Sequence, residues 1–348
     1  MQQKRKKPVN EELVINAIDQ VTIDAIFKLR QLIEKSIEFN KSMYTCFVDL
    51  KQAFDNVQLK DVIDRLNQKD VNKCHINLIK QLNISNKTII RTECGPTREL
   101  KGSSGIRQGH SLSPCLFTII SDQIIGSVNQ VDAEFKINNY RLRILCYADD
   151  AVLTAESEDD LQRLFYRFNL TAQRLNMQIS IEKTQSMVIS KDPIRCKLVV
   201  SEHIIQQVMN FNYLRLQVSS SRGTVNKVEN QIRKAVRVSG CLRDIIWKNK
   251  YMTTGSKTRI YKTYVRPIMT YAVETRAETF ATERKMRTAE MKILRTIKGI
   301  TLHDRIRNEN TRRELGVQDV VRWMRERRRC WRDHIEGMRP DNTRRRRT

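Results

Sequence analysis

Two adjacent carboxylates set between two apolar runs constrain this chain more than any other feature. Tyr140-Arg141-Leu142-Arg143-Ile144-Leu145-Cys146 precedes Tyr147-Ala148-Asp149-Asp150, and Ala151-Val152-Leu153-Thr154-Ala155 follows it. Alternating, apolar-rich runs around a short acidic segment read as two strands joined by a hairpin turn. Successive side chains on a strand point to opposite faces, so only a turn aims both carboxylates at one point. Held together they repel each other, at a cost in stability unless a cation sits between them. Mg2+ suits that place because it takes oxygen ligands and is usually held by one or two carboxylates plus substrate phosphates; Mn2+ is the other candidate. The alternative is that Asp149 and Asp150 are turn residues and nothing more.

The chain's charge favours the first reading. Lys and Arg total 64 against 39 Asp and Glu, a net +25 that attracts polyanions at long range. A pI near 9.9 fits a nucleic-acid binder, and no apolar run approaches the length of a bilayer span, so no membrane partner is expected. The eight cysteines are scattered singly with no C-x-x-C pair, which argues for reduced thiols in an intracellular protein, nuclear or cytoplasmic, and against a structural zinc site. Lys4-Arg5-Lys6-Lys7-Pro8 reads either as a nuclear localisation signal or as a solvated tail.

Apolar spacing predicts a helix over 11–39, then a short central strand in the run Met43-Tyr44-Thr45-Cys46-Phe47-Val48-Asp49-Leu50, with the Asp49 carboxylate at its tip. Helices follow at 59–66 and 75–82 and a strand at 88–92. The Gly-rich segment 102–109 runs into Ser111-Leu112-Ser113-Pro114, where Gly permits a backbone path close to a ligand. There Ser111 or Ser113 can cap a helix that Pro114 starts. Residues 158–175 carry one amphipathic stripe. From about residue 224 the chain turns to basic helices, over 225–247, 257–269, 282–298 and 320–338, ending in Arg344-Arg345-Arg346-Arg347. One basic helix face is ordinary solvated surface; several in succession, beside an acidic pair, are better explained by a phosphate backbone.

Taken in order, these segments resemble a known set. Phe47 to Val57 looks like motif A of reverse transcriptases, Gly105 to Phe117 like motif B and Tyr147-Ala148-Asp149-Asp150 like motif C. Leu175 to Thr184 looks like motif D and Phe211-Asn212-Tyr213-Leu214 like motif E. All five stand in the family's order over about residues 43–216, with wording closest to non-LTR (LINE-type) retrotransposon polymerases. The resemblance implies an α/β (α+β) right-hand polymerase palm with partial fingers, followed by an all-α basic thumb and a C-terminal helical region. The corresponding limits are 1–42 for a basic tail and remnant of fingers helices, 43–222 for the palm, 223–300 for the thumb and 301–348 for the C-terminal region.

The same resemblance implies an RNA-directed DNA polymerase that adds dNTPs to a primer 3′ end on an RNA template. Asp49 and Asp149 would hold two Mg2+ ions, with Asp150 as a supporting carboxylate. Lys183 would donate a proton to the leaving pyrophosphate or attract it. Phe54 would lie under the incoming sugar and exclude a 2′-hydroxyl; its alternative is a core Phe. Leu50, Gln108, Gly109 and Tyr147 would complete the substrate contacts. Asp55 and Asp122 read as surface or helix-end acids. Departures from the family's wording are Arg174 and Ser180 in motif D, Arg215 where motif E carries Gly, and Arg276 where a Trp is usual. Arg takes a φ > 0 turn less cheaply than Gly. The chain begins just before motif A, so it resembles a copy truncated in its fingers. The competing expectation is therefore an inactive remnant that only binds nucleic acid; an intron-type maturase fits motifs A and B less well.

Overall fold

A computed structural model describes residues 11–337, except 85–86, 90, 94, 99, 102–104, 107–108, 139, 221–224 and 277. Lys4 to Pro8, Gln108 and Arg344 to Arg347 lie outside the described residues. The chain divides into two compact units, one of Lys28–Ser221, the other of Met1–Phe27 with Arg222–Thr348. Helix α1 (Glu11–Glu38) contributes residues to both.

The first unit is organised on strand β1 (Met43–Val48), whose residues are buried on both faces apart from the half-buried Tyr44. That explains its nearly unbroken apolar run. Beyond it come β2 (Leu50–Lys51), helices α2 (Leu59–Gln68), α3 (Lys73–Ile84) and α4 (Ser113–Asn129), and strands β3 (Ile144–Tyr147) and β4 (Asp150–Ala155). Helix α5 (Glu158–Arg174) is followed by β5 (Gln178–Ile179), β6 (Gln185–Ile189), β7 (Gln206–Gln207), β8 (Asn210–Tyr213) and β9 (Leu216–Ser219). The main sheet has five strands in the order β7-β6-β1-β4-β3, antiparallel except for the β6–β7 pair.

Register sorts the side chains into two faces. Cys46 and Val48 on β1, with their partners Leu153 and Ala151 on β4, join the core under α4 and α5, with Phe117, Ile120, Leu161, Leu164 and Phe165. Phe47 belongs to the opposite face and stacks on Phe211 of the β8–β9 hairpin at 4.1 Å between ring centroids. Burying a ring of this kind stabilises by about 2 kcal/mol. Helix α5 starts where Ser157 accepts a hydrogen bond from the Asp160 N–H, but α4 does not use the caps expected of Ser111 or Ser113. Its N-cap is Leu112, which has no side chain to accept the bond, and Ser113 is already the first helical residue. The expected strand at 88–92 is two separate pairings, Lys87–Thr88 with Leu100–Lys101 and Arg91–Thr92 with Gly95–Pro96.

The second unit is helical: α6 (Val225–Leu242), α7 (Phe280–Lys298), α8 (Asn308–Leu315) and α9 (Val320–Gly337) are its principal described helices. π-helical turns at Arg243–Trp247 and Tyr261–Val265 interrupt what the sequence reads as continuous helices. The buried Trp247 indole donates to the Ser239 carbonyl at 2.8 Å, which anchors the first of them. Thr279 and Thr282 form a reciprocal cap at the start of α7, and Gly299, at φ 76°, ends it in the left-handed conformation.

Much of this unit's basic charge is spent inside it. Arg312 pairs with Glu290 and Asp319, Arg325 with Glu283 and Arg327 with Glu274. Arg276, the residue standing where the family carries Trp, is buried and donates to Gln231 at 2.7 Å and to Glu278. Within the same unit Asp24 of α1 accepts from the Trp331 indole at 3.0 Å, and Phe27 packs edge-on against the Trp331 ring. Among the described residues no helix is long and apolar enough to cross a membrane.

Candidate active site

The β1–β4 register decides where the acids meet. Val48 faces Ala151, so one step further along the antiparallel pair Asp49 comes opposite Asp150. Asp150 opens β4 and pairs with Tyr147, the last residue of β3, leaving Ala148 and Asp149 as the two-residue turn. Directly opposed residues have Cβ atoms roughly 5 Å apart, and like charges in that relation repel. Alternation places Asp49 and Asp150 on the sheet face of Phe47 and Val152, away from α4 and α5. Ala148 carries φ 51°, a left-handed conformation that costs a β-carbon residue about 1 kcal/mol.

Residues 180–184 fix the main chain of Asp49. Its carbonyl accepts from the Ser180 N–H at 2.8 Å, and its N–H donates to Thr184 Oγ1 at 3.2 Å. The Lys183 ammonium lies 3.5 Å from Asp49 Oδ2. That oxygen is shielded from solvent yet accepts no hydrogen bond, so the ion pair is loose and the carboxylate is left short of partners. Burial pushes the Asp150 carboxyl up to about 6, and the neighbouring charges of Asp149 and Asp49 add to the rise while Lys183 opposes it. Three acids and one lysine of the sequence reading are therefore brought together.

The other expected contacts are placed less uniformly. Tyr147 is half-buried beside Asp150. Leu50 is buried and gives its side chain to the core, its strand pairing with β5. Phe54 stacks on the core ring of Phe117 at 4.6 Å and is itself only partly buried. Gly109 lies at φ 81° with nothing within 4 Å of where a Cβ would stand. Gly105 differs: a Cβ there would meet the Asp55 backbone at 2.9 Å. The N–H groups of Gly105 and Ile106 donate to the carbonyls of Val57 and Phe54 at 3.0 and 2.9 Å. Its close approach is thus to motif A's own backbone rather than to a ligand. Asp122 pairs with Lys69 at 2.9 Å on the surface.

Two residues escape the sequence reading. Thr184 is fully buried and holds Asp49 from 135 positions away; no local pattern reveals such a contact. Tyr213 ends β8 with its hydroxyl shielded from solvent and without a hydrogen-bond partner. Burial pushes that phenol well above its usual range, and the charge of Asp150 pushes it further, so the ring lies under the acidic group. The alternation Phe211-Asn212-Tyr213 is the signal that both rings share one face. In the β8–β9 turn Leu214 and Arg215 both take positive φ, 46° and 65°, the type I′ requirement for two-residue hairpins. Arg215 therefore occupies the strained position anticipated from its replacement of Gly.

A small divalent cation fits these atoms. Asp49 Oδ2 is an anionic oxygen without a hydrogen bond, and Asp150 is destabilised as an anion by two neighbours that a cation would neutralise. Among the described residues no three His, Cys, Asp or Glu side chains form a ready cage.

Residues 7–218, more than half the chain, match the model of the family described as reverse transcriptase (RNA-dependent DNA polymerase). The chain is similar to the Pol polyprotein of the type-1 retrotransposable element R2 of Nasonia vitripennis, 26% identical over 47% of this chain and 16% of the relative. It is also similar to the RNA-directed DNA polymerase of the mobile element jockey of Drosophila funebris, 23% identical over 79% of this chain and 30% of the relative. The chain thus spans less than a third of the length of either relative. A telomerase structure from Candida tropicalis, with a TWJ fragment of telomeric RNA, aligns over 79% of this chain and 45% of its own at 15% identity. Its TM-score is 0.43, too low to bear on the fold. The family model, laid over the motifs that gather at the end of the central sheet, makes this chain a member of the reverse transcriptase family and a reverse transcriptase domain of the non-LTR retrotransposon kind.

Proposed function

We propose that the chain is the polymerase core of an RNA-directed DNA polymerase, with residues 43–222 as palm and 223–300 as thumb. Its reaction joins the primer 3′-oxygen to the α-phosphorus of a dNTP and breaks the bond to pyrophosphate. The observation that carries this reading is the buried, hydrogen-bond-starved Oδ2 of Asp49 opposite Asp150 at the end of the central sheet. Asp49 and Asp149 would hold two Mg2+ ions, with Asp150 as the supporting carboxylate. When bound, the metal ions neutralise phosphate charge and ease deprotonation of the primer hydroxyl. Thr184 and Ser180 hold the Asp49 backbone in register, so this ligand is positioned before substrate arrives. Lys183, 3.5 Å from Asp49 Oδ2 and otherwise exposed, would donate a proton to the departing pyrophosphate or attract it. Phe54 would bear on the incoming sugar, with Phe117 backing its ring. Gln108 and the open space beside Gly109 would line the nucleotide and template side. Part of the exposed basic surface after position 224 would follow the phosphates of an RNA template and DNA primer.

Primer extension on an RNA template tests the reading. Asp149→Asn removes a ligand charge and also relieves repulsion, so extension should fall at least a thousandfold while melting stays unchanged or rises. Full activity in that variant would sink the assignment. Phe54→Val, assayed alongside, should raise ribonucleotide over deoxynucleotide incorporation; an unchanged ratio with activity retained returns Phe54 to the core alone.

A further inference from the structure

A groove of about 740 Å³ runs between α6 and α7 within the helical unit. Its floor and one end are apolar, made by Ile232 and Val236 of α6 and by Phe280, Ala281 and Ala289 of α7. Phe280 is 79% exposed, an unusual position for a large ring on a helix with a well-packed opposite face. Arg233, Arg284, Lys285 and Lys292 stand around this floor. Lys285 pairs across the groove with Glu229. Arg233, Arg284 and Lys292 form no salt bridge among the described residues, unlike Arg312, Arg325 and Arg327 of the same unit.

The cations restrict what this floor receives. A second copy of this chain carries the same +25 and would be repelled. An occupant of opposite charge remains, either an acidic protein segment or a nucleic acid. The floor separates the two. Ile232, Val236, Ala281 and Ala289 offer no hydrogen bonds, so base edges laid on them would lose water without compensation. A nucleic-acid stacking platform uses a series of aromatic rings, and here a single ring stands at one end. Aliphatic side chains lose nothing on such a floor, and the small residues Ala281 and Ala289 let a helix backbone come close. From Phe280 to Lys292 the groove follows about 18 Å of α7, roughly three turns of a docked helix. Apolar residues spaced i, i+3, i+4, i+7 would fill it and acidic flanks would meet the rim.

We propose that the α6–α7 groove docks an amphipathic helix of a partner protein whose apolar stripe is flanked by Asp and Glu. This stands independently of the polymerase reading. The probe is a fluorescent 21-residue peptide with leucines at i, i+3, i+4, i+7 spacing and glutamates beside them, titrated by anisotropy against the full chain. A peptide of the same composition in scrambled order serves as control. Phe280→Ser and the double change Arg284→Glu with Lys292→Glu alter only exposed side chains and should leave melting unchanged. Each should weaken binding of the patterned peptide at least tenfold, and the scrambled peptide should bind at least tenfold more weakly to the unaltered chain. Equal binding of the two peptides would overturn the proposal, as would indifference to both variants. So would displacement of the peptide by oligo(rU) whose own binding is lost in the same variants, which would make the groove a nucleic-acid face.

Discussion

Two carboxyl groups, Glu290 in the helical unit and Asp49 in the sheet unit, are treated in opposite ways. In the helical unit Glu290 has no exposed surface, and its oxygens accept from the Tyr261 hydroxyl at 3.1 Å, Arg312 at 2.9 and 3.1 Å and the Val320 N–H at 3.3 Å. Burial still raises its pKa, but Arg312 and the donors pull back. In the sheet unit Asp49 has a solvent-shielded oxygen with no hydrogen bond, and Asp150 is raised by burial and two like charges against one exposed lysine. A buried acid supplied with partners is part of the architecture; one deprived of them keeps an electrostatic demand that an incoming cation can meet.

The largest test of that contrast is Arg312→Met. It strips Glu290 of its counter-charge and should cost about 3–5 kcal/mol at pH 7, and less as pH falls and the raised carboxyl takes up a proton. Faster hydrogen exchange along α7 would report it; protection unchanged would mean that Glu290 does not depend on Arg312. Next comes a matched pair of tyrosines. Tyr261→Phe removes a donor to a buried carboxylate and should lower stability by about 2 kcal/mol, whereas Tyr213→Phe removes an orphan hydroxyl and should be neutral or gain up to about 1 kcal/mol. Equal losses in urea unfolding would erase the distinction between the units.

Smallest is the effect of pH through Asp150. Its folded pKa of about 6 stands above an ordinary Asp near 3.9, so between these values the folded chain holds a proton that the unfolded chain has released. Stability drawn from this group is therefore intact below about pH 4 and lost as pH rises to about 6. Asp150→Asn should match the native chain at pH 4 and exceed it above pH 6. The excess should be about 1 kcal/mol once solvent screening of a half-exposed group is allowed for, and should shrink when Mg2+ is added. A constant difference at every pH would show that the charge of Asp150 is not what its neighbours oppose.

Legibility in the sequence followed the range of the interactions. Local signals carried the hairpin at Tyr147 to Asp150, the buried strand with Asp49 at its tip and the stripe of α5. Ordered motif wording brought Asp49, Asp149, Asp150 and Lys183 into one site. What stayed hidden depended on distant or individually weak terms. Thr184 and Tyr213 act on residues far away along the chain. Helix α8, Asn-Glu-Asn-Thr-Arg-Arg-Glu-Leu, buries only Thr311 and Leu315 and so has almost no apolar period to read. The caps assigned to Ser111 and Ser113 failed because α4 starts at Ser113, which leaves Leu112 between them as the N-cap. The π-helical turns come from packing around Trp247 and Tyr261, which spacing alone does not specify.

Position 105 carries one further consequence, for how this domain can vary. The contact between its backbone and that of Asp55 leaves no room for a β-carbon, and its φ of +88° suits no residue that has one. Every amino-acid replacement by the genetic code therefore adds an atom where none fits, so compensation would have to come from moving the main chain of motif A. In a saturation library selected only for folding, position 105 should return a single letter. Gly109, four residues on and facing open space, should still admit asparagine and aspartate.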